Sequence, residues 1–394
     1  MSRVDACPAC GGRALSPVWR VASVPVHSCL LLDSEAQARA FPRGELDLRF
    51  CEDCGFLFNA AFDPACQHYS PAYEETQAFS PRFVRFLAEL CEDQARKYAL
   101  SDRFVLEIGC GKGEFLLALS ERTGCRGIGV DPGFRPERLA SPALSRLTFV
   151  RDFYGPHWAS LAPDYLACRH TLEHIGPVAE FLAAIRATLG DRPDTVVMFE
   201  LPDLRRILLE RAFWDLYYEH ASYFTAGSLA RLFRRTGFSV LALWRCYDDQ
   251  YLVLEARPSR TADGPLPPLA EDLEETRALV AAFRTGVATK IERLRARLAA
   301  WRGKGETIAI WGSGSKAVAF LAVLGLGAEI ALLVDVNPHK WGRYVAGTGH
   351  RIASPEELAA LRPDVVLVMN PIYTEEIGRA LAARGLSPLL VPMR

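Results

Sequence analysis

Residues 104–113, Phe-Val-Leu-Glu-Ile-Gly-Cys-Gly-Lys-Gly, constrain this chain more than any other stretch. An apolar run suited to a strand meets a Glu-x-Gly-x-Gly-x-Gly turn, where Gly109, Gly111 and Gly113 permit positive φ and close approach of backbone to a ligand. Helical spacing resumes over 114–119. A strand feeding a glycine turn and then a helix opens a doubly wound α/β sheet and marks a nucleotide-type cofactor site. The pattern points to S-adenosylmethionine on that turn.

Strand candidates at 104–108, 126–130, 147–150, 164–169 and 195–200 alternate with helical stretches such as 113–122 and 177–189, which predicts parallel βαβ units. Two further strands, near 238–244 and 250–256, flank the short Tyr247-Asp-Asp-Gln250 segment and predict an antiparallel edge pair. Residues 67–260, with an amphipathic helix near 82–97, are thus expected to form one domain. Glu107 ends its first strand; Asp131 ends the second, where a carboxylate can accept ribose hydroxyls. Asp152, after the third strand, is a candidate for the adenine amino group. His170 lies at the carboxyl end of the fourth strand, where open α/β sheets bind ligands, and His174 is expected at the next helix start.

At 394 residues the chain exceeds one ordinary core, so further domains are expected. Cys7-Pro-Ala-Cys10 and Cys51-Glu-Asp-Cys54, each followed by glycine, have the spacing of two metal knuckles. Four thiolates leave no open position for a catalytic water, so Cys7, Cys10, Cys51 and Cys54 predict a structural Zn²⁺ within a small domain, 1–66. A redox dithiol is the competing reading. Gly264-Pro-Leu-Pro-Pro268 opens a linker, and apolar residues from Leu269 to Trp301 recur at three- and four-residue steps; 261–303 is read as linker and long helix, packed between domains or in a dimeric coiled coil. Over 304–394 a second, smaller α/β unit is expected, with strands 307–311, 330–335, 364–369 and 388–392. Its Gly312-x-Gly314-x-x-Ala317 turn, with Asp335 beyond it, fits a Rossmann-like half that binds a dinucleotide or another phosphorylated ligand.

Lys plus Arg (46) nearly balances Asp plus Glu (47), giving a formal charge of −1 and no electrostatic case for nucleic acid or an anionic membrane. Neither a signal-like segment nor a membrane-length apolar run is visible, and most of the eleven cysteines are scattered singly, so a cytoplasmic protein is expected. The aromatic block 213–224 contains adjacent Glu219 and His220; an acid and an imidazole among apolar rings can yield a base tuned near neutrality.

Together the Cys₄ knuckles, Glu107-Ile-Gly-Cys-Gly111, His170-Thr-Leu-Glu-His174, Tyr217-Tyr-Glu-His-Ala-Ser-Tyr-Phe224 and Gly312-Ser-Gly-Ser-Lys316 with Asp335-Val-Asn-Pro-His-Lys340 resemble one family over nearly the whole chain. It is the three-domain S-adenosylmethionine-dependent C-methyltransferases of deoxysugar biosynthesis. The resemblance implies a class I methyltransferase core between a zinc-binding domain and a Rossmann-like substrate domain. It also implies a nucleotide-linked ketosugar, deprotonated beside its ketone and methylated at the enolate carbon. His220 is then the base, Glu219 its partner and Tyr217 a pocket residue. Tyr73 contributes from the connector, with Tyr69 as rival, while Tyr223, Lys316, Asp335 and Lys340 face the substrate and the chain acts as a monomer. Three stretches depart from the family pattern. Asp248-Asp-Gln-Tyr-Leu252 stands where Gly-Gly-Ser-Leu-Arg is usual, Ala346-Gly-Thr348 where Pro-Gly-Thr is, and Cys110-Gly-Lys112 where Asn-Asp-Gly is. The alternatives are O- or N-methylation of a related small molecule, an NAD(P)-dependent C-terminal oxidoreductase, and a non-catalytic scaffold.

Overall fold

The computed structural model describes residues 4–67, 69–190, 192–261 and 265–394; Gly264 of the proline-rich linker lies outside them. The apolar strands predicted in the middle of the chain form a seven-stranded sheet. Its order runs Phe238–Cys246, Tyr251–Pro258, Val196–Pro202, Tyr165–Arg169, Phe104–Ile108, Arg126–Val130, Leu147–Val150. Every neighbouring pair is parallel except those made by Tyr251–Pro258, which runs antiparallel to both its neighbours, as the edge-pair reading expected. Helices cover both faces, so strands such as Tyr165–Arg169 and Val196–Pro202 are buried almost throughout and read as continuous apolar runs. The order reverses beside Phe104–Ile108, so the glycine turn opens at the crevice where such sheets take ligands.

The N-terminal unit is built on Leu15–Pro25, Arg43–Cys51 and Leu57–Asn59, but its sheet has a fourth strand, Ser222–Tyr223, supplied by the aromatic block of the middle unit. Leu57 pairs with Tyr223 and Phe58 with Ser222. The C-terminal unit is a five-stranded, all-parallel sheet in the order Ile352–Ala353, Leu332–Val334, Ile308–Trp311, Val365–Val368, Leu389–Pro392. Ile352–Ala353 was too short to read from the sequence.

The long helix, Leu273–Gly303, packs between the units: Phe283 meets Trp19 of the first strand at a ring separation of 6.1 Å, and Val280 and Val287 are buried. Gly286 allows close approach, since a Cβ there would lie 2.2 Å from Nε of Arg211. That nitrogen donates to the Ala282 carbonyl at 3.2 Å. This glycine, within the apolar stripe, thus admits a side chain from the middle unit.

Candidate active site

The glycine turn takes the conformation its residues predict. Gly109, Gly111 and Gly113 have φ of 67°, 54° and 81°. A Cβ on Gly109 would lie 1.9 Å from Oγ1 of Thr171, and one on Gly113 2.6 Å from the Phe149 ring. Neighbouring side chains fill the space a Cβ would need, so packing as well as positive φ demands glycine there, and Gly109 and Gly111 line the crevice. Asp131 ties the turn to the next strand, accepting from the Gly111 and Gly133 amides at 2.9 and 2.6 Å. Glu107 accepts from the Leu116 amide at 3.2 Å, and burial pushes its carboxyl up to about 8. Asp152 sits at the rim, bonded to His157 at 2.8 Å.

Lys112, inside the turn, had no assigned role. Its ammonium is buried and donates to the Tyr73 carbonyl (2.8 Å), the Gly133 carbonyl (3.2 Å) and Glu75 (3.1 Å). It thereby clamps the 70–80 connector over the crevice. Glu74, next along that connector, receives both guanidinium nitrogens of Arg138 (3.1 and 2.7 Å) and the Asn337 amide (2.8 Å). One buried carboxylate thus joins the middle and C-terminal units.

Between the units lies a cavity of about 500 Å³ that reaches from Gly109 and Asp131 past His170 and His220 to Lys316 and Asp335. His170 holds the left-handed φ of 47° at the strand end. Burial disfavours its charge, yet Glu173 (3.5 Å) and Glu200 (3.0 Å) outweigh that and push it up to about 9, an imidazolium at neutral pH. Opposite, His220 is buried, and its Nδ1 has no hydrogen-bond partner among the described residues. Burial first, then the neighbouring imidazoles and the Lys316 ammonium, drives it well below the usual histidine range, so it is neutral. Its ring packs on Tyr217 at 4.2 Å and His174 at 4.9 Å.

Two expected roles are corrected. Glu219 is not the partner of His220: it turns away, accepting from the Ser28 amide at 3.0 Å and the Tyr73 hydroxyl at 3.4 Å and meeting His27 Nδ1 at 2.6 Å. Tyr218 and Glu219 form a turn closed by the His220 amide donating to the Tyr217 carbonyl at 3.2 Å, so the Glu219 and His220 side chains leave the chain in different directions just before strand Ser222–Tyr223. Tyr223 does not line the cavity; its hydroxyl donates to the Tyr217 carbonyl (3.0 Å) and accepts from the Tyr217 amide (3.1 Å), bracing the loop that carries His220. Tyr73 and Tyr69 both reach the cavity, and Tyr69 bonds Nδ1 of His174 at 2.9 Å.

In the C-terminal unit Asp335 is occupied by its own turn, accepting from the Ser313 amide and hydroxyl (3.0 and 2.6 Å), the Asn337 amide (2.9 Å) and Lys340 (3.1 Å). Lys316 reaches back to pair with Asp215 of the middle unit, which Arg206 approaches at 3.8 Å. These cations and the helix start at Ser315 face the same cavity. An anion could be held there.

The four knuckle sulfurs lie within 4.8 Å of one another, with Cys7–Cys54 and Cys10–Cys51 each at 3.6 Å. Four thiolates about 2.3 Å from a tetrahedral Zn²⁺ lie roughly 3.8 Å apart, so the donor set fits that ion. Gly11 and Gly55 take φ of 78° and 74° just past the second cysteine of each knuckle.

A methyltransferase-domain family model matches residues 47–243, and a model described as the C-methyltransferase C-terminal domain matches 270–385. The C-methyltransferase NovU of Streptomyces niveus is 30% identical over 398 residues, covering 95% of this chain and 91% of that protein. The chain belongs to the S-adenosylmethionine-dependent C-methyltransferases. Solved structures with similarity include an O-methyltransferase family protein from Burkholderia thailandensis (16% identity, TM-score 0.37, 45% of this chain and 57% of that one). Another is a 1,6-didemethyltoxoflavin N1-methyltransferase from the same organism, solved with S-adenosylhomocysteine (21% identity, TM-score 0.33, 44% of this chain and 78% of that one). Among the described residues of this C-methyltransferase, no helix is long and apolar enough to cross a membrane.

Proposed function

We propose that this enzyme methylates a carbon beside the ketone of a nucleotide-linked ketosugar, with His220 removing the proton. The observation that carries the reading is a neutral, buried imidazole with an unpartnered nitrogen, on the wall of a cavity shared by the cofactor turn and the cationic face of the C-terminal unit. S-adenosylmethionine, when bound on Gly109–Gly113 with Asp131 beside it, supplies a methyl group on a positively charged sulfur, an electrophile that needs no metal activation. His220 takes the proton as the C–H bond breaks, and the electron pair moves onto the ketone oxygen as an enolate. Tyr217 and Tyr73 supply hydroxyls at the same wall, suited to holding that oxygen. Lys316 and Lys340 suit the diphosphate of the substrate, and Zn²⁺ on the four thiols anchors the N-terminal unit. The reading includes a monomer, since one chain's own units supply every wall named above, and a cytoplasmic location.

The test is incubation with S-adenosylmethionine and a panel of nucleotide-linked 4-ketosugars in deuterated water. A product carrying one methyl that resists ether cleavage, with deuterium appearing beside the ketone of unreacted sugar, supports the reading. A methyl ether or methylamine without that exchange rejects it in favour of O- or N-methylation.

A further inference from the structure

Glu173, His174 and His220 come together at the cavity wall, and each places a ligand atom within 4.8 Å of the other two. The sequence separates His220 from the other two, and the chemistry described above uses only His220. Two polar atoms of these residues are anomalous. Oε2 of Glu173 and Nδ1 of His220 are buried without a hydrogen-bond partner among the described residues, although Glu173 is only 2% and His220 4% exposed. A buried carboxylate oxygen without a donor costs about 1–3 kcal/mol or more, so it calls for an electropositive occupant. His170 takes only the other oxygen, Oε1, at 3.5 Å.

The third residue is prepared in a different way. Nδ1 of His174 lies 2.9 Å from the Tyr69 hydroxyl and 3.1 Å from the Glu219 carbonyl; the carbonyl can only accept and the hydroxyl accepts as well as donates, so a proton on that nitrogen satisfies both. The lone pair is then on Nε2. A backbone carbonyl fixing one ring nitrogen so that the other is basic is the arrangement that supports a metal-bound histidine. Two imidazoles and one carboxylate, with the remaining positions open to a cavity, suit a divalent first-row transition ion of the Zn²⁺, Co²⁺ or Ni²⁺ class.

We propose that Glu173, His174 and His220 form a second metal site, distinct from the four thiols, and that an ion bound there switches the enzyme off by occupying the base. The inhibitory half rests on the assignment of His220 under Proposed function; the binding half does not. An imidazole cannot give its lone pair to an ion and to a proton at once, so metal binding and proton abstraction compete. The dication also repels the positively charged sulfur that must approach.

The probe is Co²⁺, titrated into the full-length protein loaded with zinc. The expected result is one equivalent bound with visible d–d absorption and no thiolate charge-transfer band, which separates this site from the knuckles. Turnover should fall in step and recover once the ion is removed by gel filtration. Glu173→Gln and His174→Gln should each weaken Co²⁺ binding by at least about tenfold, judged against the cost of losing even a supporting partner. Retained zinc content and cofactor binding would show that these variants fold. No absorption beyond the thiolate site, or unchanged Co²⁺ affinity in both variants, overturns the metal site. Co²⁺ bound with turnover unaffected overturns the switch and the base assignment together while the ion site stands. Loss of turnover in His220→Ala, with no Co²⁺ absorption in the parent protein, removes the ion site and leaves the base.

Discussion

His170 and His220 line the same cavity and are held in opposite states. The His170 side is saturated with partners: Glu200 accepts from Arg169 at 2.8 Å and bonds His170 at 3.0 Å, and Glu173 stands at 3.5 Å from the same ring. The His220 side is a packed aromatic wall in which no carboxylate is hydrogen-bonded to the ring: Glu219 points behind it toward His27, and Glu173, although close, bonds His170 instead. One imidazole is therefore a fixed cation and the other a neutral lone pair. Residue type does not decide whether a buried histidine is a structural charge or a base; the carboxylates within reach decide it.

Removing each ring should separate the two roles most sharply. His220→Ala is expected to lower kcat by roughly 10²–10⁴-fold, the usual worth of general-base catalysis, with cofactor affinity largely kept. His170→Ala should instead weaken cofactor binding and stability, with a smaller effect on the chemical step. Single-turnover rates beside a cofactor titration check both. Equal losses of kcat in the two variants would erase the comparison.

Next in size is the ion-pair side itself. Glu200→Gln leaves the Arg169 guanidinium, 9% exposed, without its carboxylate, and should cost roughly 3–5 kcal/mol by urea denaturation. The pH dependence follows with a definite sign. His170 is raised to about 9 in the fold, so its contribution is complete below its ordinary value and is lost as pH rises through about 9. Glu200 is lowered to about 2, as Arg169 and His170 outweigh its burial, so its contribution is present above the ordinary carboxylate range and is lost as pH falls through about 2. Denaturation midpoints between pH 6.5 and 9 should decline in the parent protein and flatten in His170→Asn.

The sequence carried the two sides unequally. His170 could be placed because an apolar strand ends there and strand ends bind ligands; its partner Glu200 lies within the neighbouring strand Val196–Pro202, where no motif marks it. The glycine turn was legible for the same reason, since positive φ, close approach and a following helix are all local demands. What Glu219 touches was not legible, for its partner His27 is 192 positions away and comes from another unit. Nor was the pairing of Leu57–Asn59 with Ser222–Tyr223, which links the metal knuckle to the loop bearing His220. A two-residue strand has no periodicity to read. Likewise Lys112 is one residue within a turn, and its role exists only once the connector has folded over it.

The smallest expected effect lies behind His170. Its ring meets Tyr251 at 4.5 Å, and Tyr251 stacks on Tyr247 at 5.1 Å across the tip of the edge pair. Tyr247, Asp248 and Asp249 there hold φ of 54°, 59° and 56°, three successive left-handed residues and none of them glycine. The departure from Gly-Gly noted in the sequence thus falls where glycine would be easiest. Aspartate tolerates this region better than most residues but still meets a Cβ penalty of about 1–2 kcal/mol, while glycine gives back about 0.5–1 kcal/mol through the freedom of the unfolded chain. Asp249 is exposed, so no contact need be lost with its side chain. Asp249→Gly should therefore stabilise the protein by about 0.5 kcal/mol, seen as a small rise in urea midpoint, with kcat unchanged. A fall in cofactor affinity would show that the tightness of this turn holds Tyr251 against His170, extending the charged side of the cavity as far as the sheet edge.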